Sequence, residues 1–250
     1  MVRPHILPER HSGAPTEYGE DTAADLLEPK AEIIDVANIP GGGQLHLLRS
    51  GSHHYIDFRG DELMGSRDHL SEQALATMTC SRLARKDGNV LVGGLGMGFT
   101  LGAALAAWGP SSSIYVAELV PEVANWARGP LAHLFGNYLT DPRTSLRLMD
   151  VHDVIAAERD HFDAILLDVD NGPDGFIQLE NDRLYSNWGL RDAHTALRSG
   201  GILSIWSSYP DEAFSKRLTA AGFDVDEISM PAYAGCTDDW HHIWFASKHG

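Results

Sequence analysis

From residue 89 onward the sequence alternates short apolar segments with helical segments, and this alternation restricts the fold more than any other feature. The apolar segments are NVLVGG, SIYVAEL, SLRLMD, FDAILLD and GILSIWS, and the stretches between them include FTLGAALAAW, PEVANWARG and NWGLRDAHTALRS. Strands that alternate with helices form a parallel sheet covered on both faces, and such strands have few polar positions. The sequence therefore predicts a doubly wound α/β domain.

Both ends of the chain depart from this alternation. FDVDEISM and HHIWFASK have no helix between them, which predicts an antiparallel hairpin at one edge of the sheet. Near the N-terminus, AEIIDVANI, QLHLLRS and HHYIDF predict a small antiparallel sheet, whereas the first 30 or so residues have no sustained apolar period. We expect residues 1–62 to form an arm and this small sheet, and residues 63–250 to form the α/β domain.

Charge and hydropathy argue against several classes of partner. The chain has 19 Lys and Arg against 35 Asp and Glu, a formal net charge of −16, which repels a phosphate backbone. No apolar run reaches the roughly 18 to 20 residues of a membrane helix, and the first residues lack the apolar core of a signal peptide. We therefore expect a cytoplasmic protein that binds neither nucleic acid nor membrane.

Metal and disulfide sites are not expected either. Cys80 and Cys236 lie far apart in the sequence without a CxxC pattern. His241 and His242 are adjacent on a predicted strand, where neighbouring side chains point to opposite faces and cannot easily bind one ion.

Ligands of doubly wound sheets bind at the carboxyl ends of the strands, so strand ends supply the candidate site residues. The first strand ends in GGLGMG, where Gly93, Gly94, Gly96 and Gly98 allow sharp bends and close approach of a ligand just before a helix. The glycine that a dinucleotide fingerprint requires next is replaced by Phe99, which argues against NAD.

Each of the next three strands ends in an acid. Glu118 can accept both hydroxyls of a ribose, or it is a solvated strand end. Asp150 can accept from the adenine amine, or it caps the following helix. Asp168, in ILLDVDNGPDG, can act on a substrate, or it forms a turn that ends the strand. Four successive strand ends with a glycine loop and three acids together predict an adenosine site.

Five segments resemble the spermidine synthase-like branch of the S-adenosylmethionine-dependent methyltransferase superfamily: VLVGGLGMGFTLGAAL, VAELVPEVANWAR, LMDVHDVI, FDAILLDVDNGP and LYSNWGLRDAHTALRSGGILSIWS. The resemblance spans residues 63 to about 230. It implies a Rossmann-like methyltransferase fold with a mostly parallel sheet, an antiparallel edge hairpin and a small N-terminal β appendage. It also implies S-adenosylmethionine or its decarboxylated form as the donor, a small cationic amine as the acceptor, and a possible homodimer through the N-terminal region.

The resemblance also implies roles for the residues that bind the donor. Gly94 and Gly96 match the positions that approach its amino-acid tail, and Glu118 matches the position that holds the ribose. Asp150, followed by Val151, matches the position that reads the adenine.

For catalysis, Asp168 matches the family acid that takes or orients the acceptor amine. A carboxylate there attracts an ammonium group and accepts its proton as the lone pair is freed. We expect Asp170 and Asn171 to shape the acceptor pocket. Tyr185 either packs or hydrogen-bonds over the site, or is a core aromatic.

One departure from the family bears on the reaction. Aminopropyltransferases of this family have Tyr, then His or Gln, then Glu ahead of the glycine loop, and this sequence has Leu70, Ser71 and Glu72. We therefore favour methyl transfer to a small amine-bearing acceptor. Aminopropyl transfer from decarboxylated S-adenosylmethionine is the alternative, and a non-catalytic nucleoside-binding partner subunit is the second alternative.

Overall fold

The computed structural model describes residues 30–67, 69–169, 181–233 and 235–250. Within these ranges the chain forms one four-stranded and one seven-stranded sheet. The strands are β1 Glu32–Asn38, β2 Gln44–Ser50, β3 His53–Phe58, β4 Asp61–Gly65, β5 Asn89–Gly93, β6 Ser113–Glu118, β7 Thr144–Leu148, β8 Phe162–Leu167, β9 Leu197–Ser207, β10 Phe223–Pro231 and β11 Trp240–Lys248. The helices are α1 Leu70–Arg82, α2 Phe99–Ala107, α3 Pro121–Arg128, α4 Ala132–Phe135, α5 Val151–Ala156, α6 Asn181–Tyr185, α7 Asn187–Ala196 and α8 Glu212–Ala220, with a 3₁₀ turn at Tyr138–Thr140.

The N-terminal sheet is an antiparallel meander in the order β1-β2-β3-β4. Its two central strands, β2 and β3, bury alternate residues, because successive side chains of a strand point to opposite faces. Leu45, Leu47, Ile56 and Phe58 form the buried face and belong to the main core of the protein. Strand β4 was not predicted, and it extends this sheet past the expected boundary at residue 62.

The large sheet has the strand order β10-β11-β9-β8-β5-β6-β7. Strands β5 to β9 pair in parallel, whereas β11 is antiparallel to both β9 and β10. This confirms the predicted fold class and the edge hairpin. The chain proceeds from β5 to β6 on one side and later returns to β8 on the other, and in such sheets this reversal leaves a crevice at the carboxyl ends of the strands.

The core lies on both faces of the large sheet. In β5, Val90 and Val92 pack into the cluster that includes α1, α2 and the N-terminal sheet, and Leu91 packs into the opposite cluster with α5, α7 and α8. This two-sided burial explains why the central strands are almost entirely apolar in sequence. In the part of the chain that the structure describes, no helix combines the length and the apolar character needed to cross a membrane.

Candidate active site

A pocket opens where the carboxyl ends of the parallel strands meet the N-terminal sheet. The described residues that line it are Ile39, Leu45, Ile56, Leu63, Met64, Glu72, Gly94, Gly96, Ala117, Glu118, Leu119, Val120, Val123, Asp150, Val151, Asp168, Val169 and Trp206. All four predicted strand ends therefore contribute residues to a single cavity.

Two glycines of the loop after β5 line this pocket in conformations that other residues rarely adopt. Gly94 has a φ of +86°, and a Cβ atom there would lie 2.6 Å from the carbonyl oxygen of Asp168. Gly96 has a φ of +46°, and a Cβ atom there would lie 2.7 Å from the Sδ atom of Met64. The missing side chains thus bring the loop against β8 and β4 and leave its backbone facing the pocket.

The other two glycines of the motif have packing roles. Within the described residues, neither Gly93 nor Gly98 lines the pocket. A Cβ atom on Gly93 would lie 2.9 Å from Cγ2 of Val151, and one on Gly98 would lie 2.5 Å from Cε1 of Phe135. Their lack of a side chain therefore serves helix and loop packing, while Val151 itself lines the pocket as the first residue of α5.

Glu118, at the end of β6, links the glycine loop to the start of α3. Its Oε2 accepts from the N–H of Leu95 at 2.9 Å and its Oε1 accepts from the N–H of Val120 at 2.7 Å. Burial raises the pKa of this carboxyl, while the backbone N–H groups act in the opposite direction. The side chain therefore holds the loop in place and presents an acid to the pocket.

Asp150 caps α5 and also lines the pocket. Its Oδ1 accepts from the N–H of His152 at 2.8 Å and caps α5. Its Oδ2 lies 3.8 Å from Nη2 of Arg183, and the residue also lines the pocket. The cap uses one carboxylate oxygen, so the cap and a ligand contact do not exclude each other.

Asp168 and Glu72 form an acidic pair in the pocket. Thr100 donates from Oγ1 to Oδ2 of Asp168 at 2.5 Å. Burial and the negative charge of Glu72 raise the pKa of Asp168 to about 7, against the lowering effect of Thr100. A carboxyl with this pKa exchanges protons near neutral pH, which suits a general base.

Glu72 was not predicted as a site residue. Leu70, the first residue of α1, is exposed, whereas Ser71 and Glu72 are buried beneath the first turn. The sequence did point to this position, because Glu72 matches the Glu of the Tyr, His or Gln, Glu pattern of the family. It was not predicted because the two preceding positions, Leu70 and Ser71, differ from that pattern. Met64 and Trp206 also line the pocket without having been predicted as site residues.

One predicted catalytic residue that the structure describes, Tyr185, does not line the pocket. Tyr185 is buried in the core, where its ring meets that of Phe214 edge to face at 5.6 Å, so the structure favours the core interpretation. Asp170 and Asn171 lie outside the described residues.

Comparison with known proteins shows that the chain is similar to solved structures. No family model and no curated protein matches the sequence. A spermidine synthase solved in complex with the transition state analogue AdoDATO matches with a TM-score of 0.73 and 18% identity, over 86% of this chain and 73% of the other. This chain has the spermidine synthase fold.

A second solved structure supports the same assignment. The spermidine synthase from Thermotoga maritima matches with a TM-score of 0.70 and 17% identity, over 86% of this chain and 72% of the other. The spermidine synthase fold confirms the resemblance inferred from the sequence. At these identities the similarity establishes the fold, and the chemistry must be argued from the pocket.

Proposed function

We propose that the protein transfers an aminopropyl group from decarboxylated S-adenosylmethionine to an amine acceptor. The spermidine synthase fold supports this reaction class, as does the solved relative in complex with AdoDATO. The proposal replaces the methyl transfer favoured from the sequence.

The charge of the pocket is our reason for preferring decarboxylated S-adenosylmethionine to S-adenosylmethionine as the donor. Glu72, Glu118, Asp150 and Asp168 line it, and none of the lining residues in the described ranges is a lysine, arginine or histidine. S-adenosylmethionine has a carboxylate that would have to be desolvated beside four acids without a cationic partner, which is unfavourable. The decarboxylated donor lacks this group, and its remaining ammonium group is attracted by the acids.

The polar lining residues also fit the two substrates. Glu118 and the backbone of Gly94 and Gly96 would hold the ribose and the chain attached to sulfur, and Asp150 with Val151 would hold the adenine. The bound donor supplies a carbon that its sulfonium makes electrophilic. Asp168 and Glu72 would hold the acceptor ammonium group and take its proton, because only the free amine can attack.

The bonds that form and break in the reaction identify its nucleoside product. The amine nitrogen forms a bond to the aminopropyl carbon, and the carbon–sulfur bond breaks with its electrons remaining on sulfur. The leaving group is the thioether methylthioadenosine, and one proton is released. Methyl transfer would instead leave S-adenosylhomocysteine, so the nucleoside product distinguishes the two reactions.

Calorimetry and product analysis test the proposal together. We expect decarboxylated S-adenosylmethionine to bind at least about 10-fold more tightly than S-adenosylmethionine, a difference of about 1.4 kcal/mol. We expect methylthioadenosine as the nucleoside product with a panel of small amines. Tighter binding of S-adenosylmethionine, or formation of S-adenosylhomocysteine, would restore methyl transfer. Donor binding without turnover of any amine would favour the non-catalytic nucleoside-binding subunit.

A further inference from the structure

A chain of hydrogen bonds leads from the acidic pair to the edge hairpin. Ser71 donates from Oγ to Oε2 of Glu72 at 2.7 Å, and the same Oγ lies 2.8 Å from Nδ1 of His241 on β11. Glu72 lines the pocket, Ser71 is fully buried, and His241 is partly exposed. These three side chains therefore connect the pocket with the surface.

The surroundings of His241 favour the neutral form of its imidazole. Its ring packs edge to face on Trp206 of β9 at 4.7 Å, and Met230 faces it across the β10–β11 pair. Burial lowers its pKa, as does the neighbouring His242, whereas the charge of Asp239 raises it. A neutral imidazole can accept a proton and pass it on, which a permanently charged one cannot.

We infer that Glu72, Ser71 and His241 form a relay that carries the proton released in the transfer step from the pocket to solvent. This inference rests on the proposed function, because only a reaction that releases a proton in the pocket requires such a route. Bound substrates would cover the acidic pair, so its direct contact with water would be reduced during turnover.

Each step of the relay moves one proton from a donor group to an acceptor group. The acceptor nitrogen gives up its proton to the acidic pair, and the protonated Glu72 carboxyl then donates to Oγ of Ser71. With Glu72 protonated, the Ser71 hydroxyl no longer donates to it and gives its own proton to Nδ1 of the His241 tautomer that carries its hydrogen on Nε2. The resulting imidazolium releases its Nε2 proton to water, and exchange with water returns the ring to the Nε2–H tautomer before the next turnover. No bond other than those to hydrogen changes, and no oxidant or reductant is needed.

The other hydroxyl beside the acidic pair offers no equivalent route. Oγ1 of Thr100 contacts Oδ2 of Asp168 at 2.5 Å and the backbone carbonyl oxygen of Glu72 at 3.4 Å. A carbonyl oxygen accepts hydrogen bonds but has no proton to pass on. The described contacts of Thr100 therefore stabilise Asp168 without extending toward the surface.

The chain provides a matched control in the next residue. His242 also lies on β11, but its Nδ1 is 3.2 Å from Oε1 of Glu227 and 3.2 Å from Oγ of Ser229. It faces the opposite side of the strand, away from Ser71. His242→Gln therefore introduces the same change at the adjacent position and leaves the three side chains of the relay in place.

The test compares His241→Gln, Ser71→Ala and His242→Gln with the wild-type protein. We expect kcat to fall by about 10- to 100-fold in the first two and to stay within about 2-fold in His242→Gln, in keeping with the usual size of acid–base effects. Donor affinity measured by calorimetry should stay within about 2-fold in all three. Added imidazole should restore kcat in His241→Ala, where the removed ring leaves space, and should leave Ser71→Ala unchanged.

The measurements separate a failure of the proposed function from a failure of the relay. If the wild-type protein forms no methylthioadenosine, the proposed function fails and the relay is rejected with it. If the wild type turns over but His241→Gln and His242→Gln have equal kcat, or imidazole does not restore His241→Ala, the relay is wrong while the proposed function stands. If donor affinity falls in parallel with kcat, the residues support the pocket structurally and the relay is again rejected.

Discussion

Thr100 donates a hydrogen bond of 2.5 Å to Asp168, joining the first turn of α2 to the end of β8. This bond opposes the two effects that raise the pKa of Asp168, the burial of its carboxyl and the charge of Glu72. The hydroxyl of one threonine therefore helps to set the pH at which the candidate base is ionised.

Replacing this hydroxyl should shift the pH profile. In Thr100→Val the ionised form of Asp168 loses a donor, so we expect its pKa to rise and the acid limb of kcat/KM to move to higher pH by about 1 unit. Thr79→Val is the control, because Thr79 is also buried but bonds to Ser204 and the Leu75 carbonyl. An equal shift in both variants would mean that the profile reports general destabilisation.

Asp168 should also make stability depend on pH. Its pKa is about 7 in the folded protein against an ordinary value of 3.8, so the folded state holds the proton more tightly. The resulting stabilisation is fully present below about pH 3.8 and is lost as the pH rises through about 7. We expect the Tm difference between Asp168→Asn and wild type to increase as the pH rises across this range. Each kcal/mol of stability that the wild type loses should add about 2–4 °C to this difference. The same variant should abolish turnover while leaving donor affinity nearly intact. A Tm difference that is independent of pH would contradict the assignment.

Gly94→Ala should destabilise the protein more than an equivalent change elsewhere. Both Gly94 and Gly42 have a positive φ, but a Cβ atom on Gly42 would meet nothing within 4 Å, whereas one on Gly94 would strike the backbone of Asp168. We expect Gly42→Ala to cost about 1–2 kcal/mol from backbone strain and Gly94→Ala to cost at least about 1 kcal/mol more, from the clash. Urea unfolding of both variants measures the difference, and equal costs would show that the loop can move away from β8.

Two substitutions of Asp150 separate its cap from its proposed ligand contact. Asp150→Asn keeps an oxygen that can accept from the N–H of His152, so the cap of α5 should survive. It adds donors where the adenine amine would need an acceptor, so donor affinity should fall by about 10-fold or more. Asp150→Ala should lose the same affinity and also about 1 kcal/mol of stability. Unchanged affinity in both variants would leave Asp150 as a cap alone.

The sequence was sufficient for the main sheet because its strands are apolar on both faces, a pattern that Val90, Leu91 and Val92 display within three residues. Strand β4 was missed for the opposite reason. Its sequence, DELMG, is short and mixes acids with apolar residues, so it has no clear alternation. It becomes a strand through pairing with β3, which is a tertiary effect.

The site was predictable to the extent that it lies at strand ends. Glu118, Asp150 and Asp168 were predicted because the carboxyl ends of parallel strands converge, and all three line the pocket. Glu72 belongs to a helix from outside that sheet, so no strand pattern leads to it. Tyr185 shows a second limit of prediction from sequence. A tyrosine beside a motif can lie in the site or fill the core, and only its packing on Phe214 decides between these two positions.

The contact between Ser71 and His241 spans 170 positions of the chain. During synthesis the pocket-lining loops after β5, β6 and β7 leave the ribosome before β11 does. A nascent chain that ends ahead of β11 therefore contains every described residue that lines the pocket but lacks His241, the residue that contacts Ser71. The residues proposed to bind the donor are therefore all translated before the residue proposed to pass the proton to water.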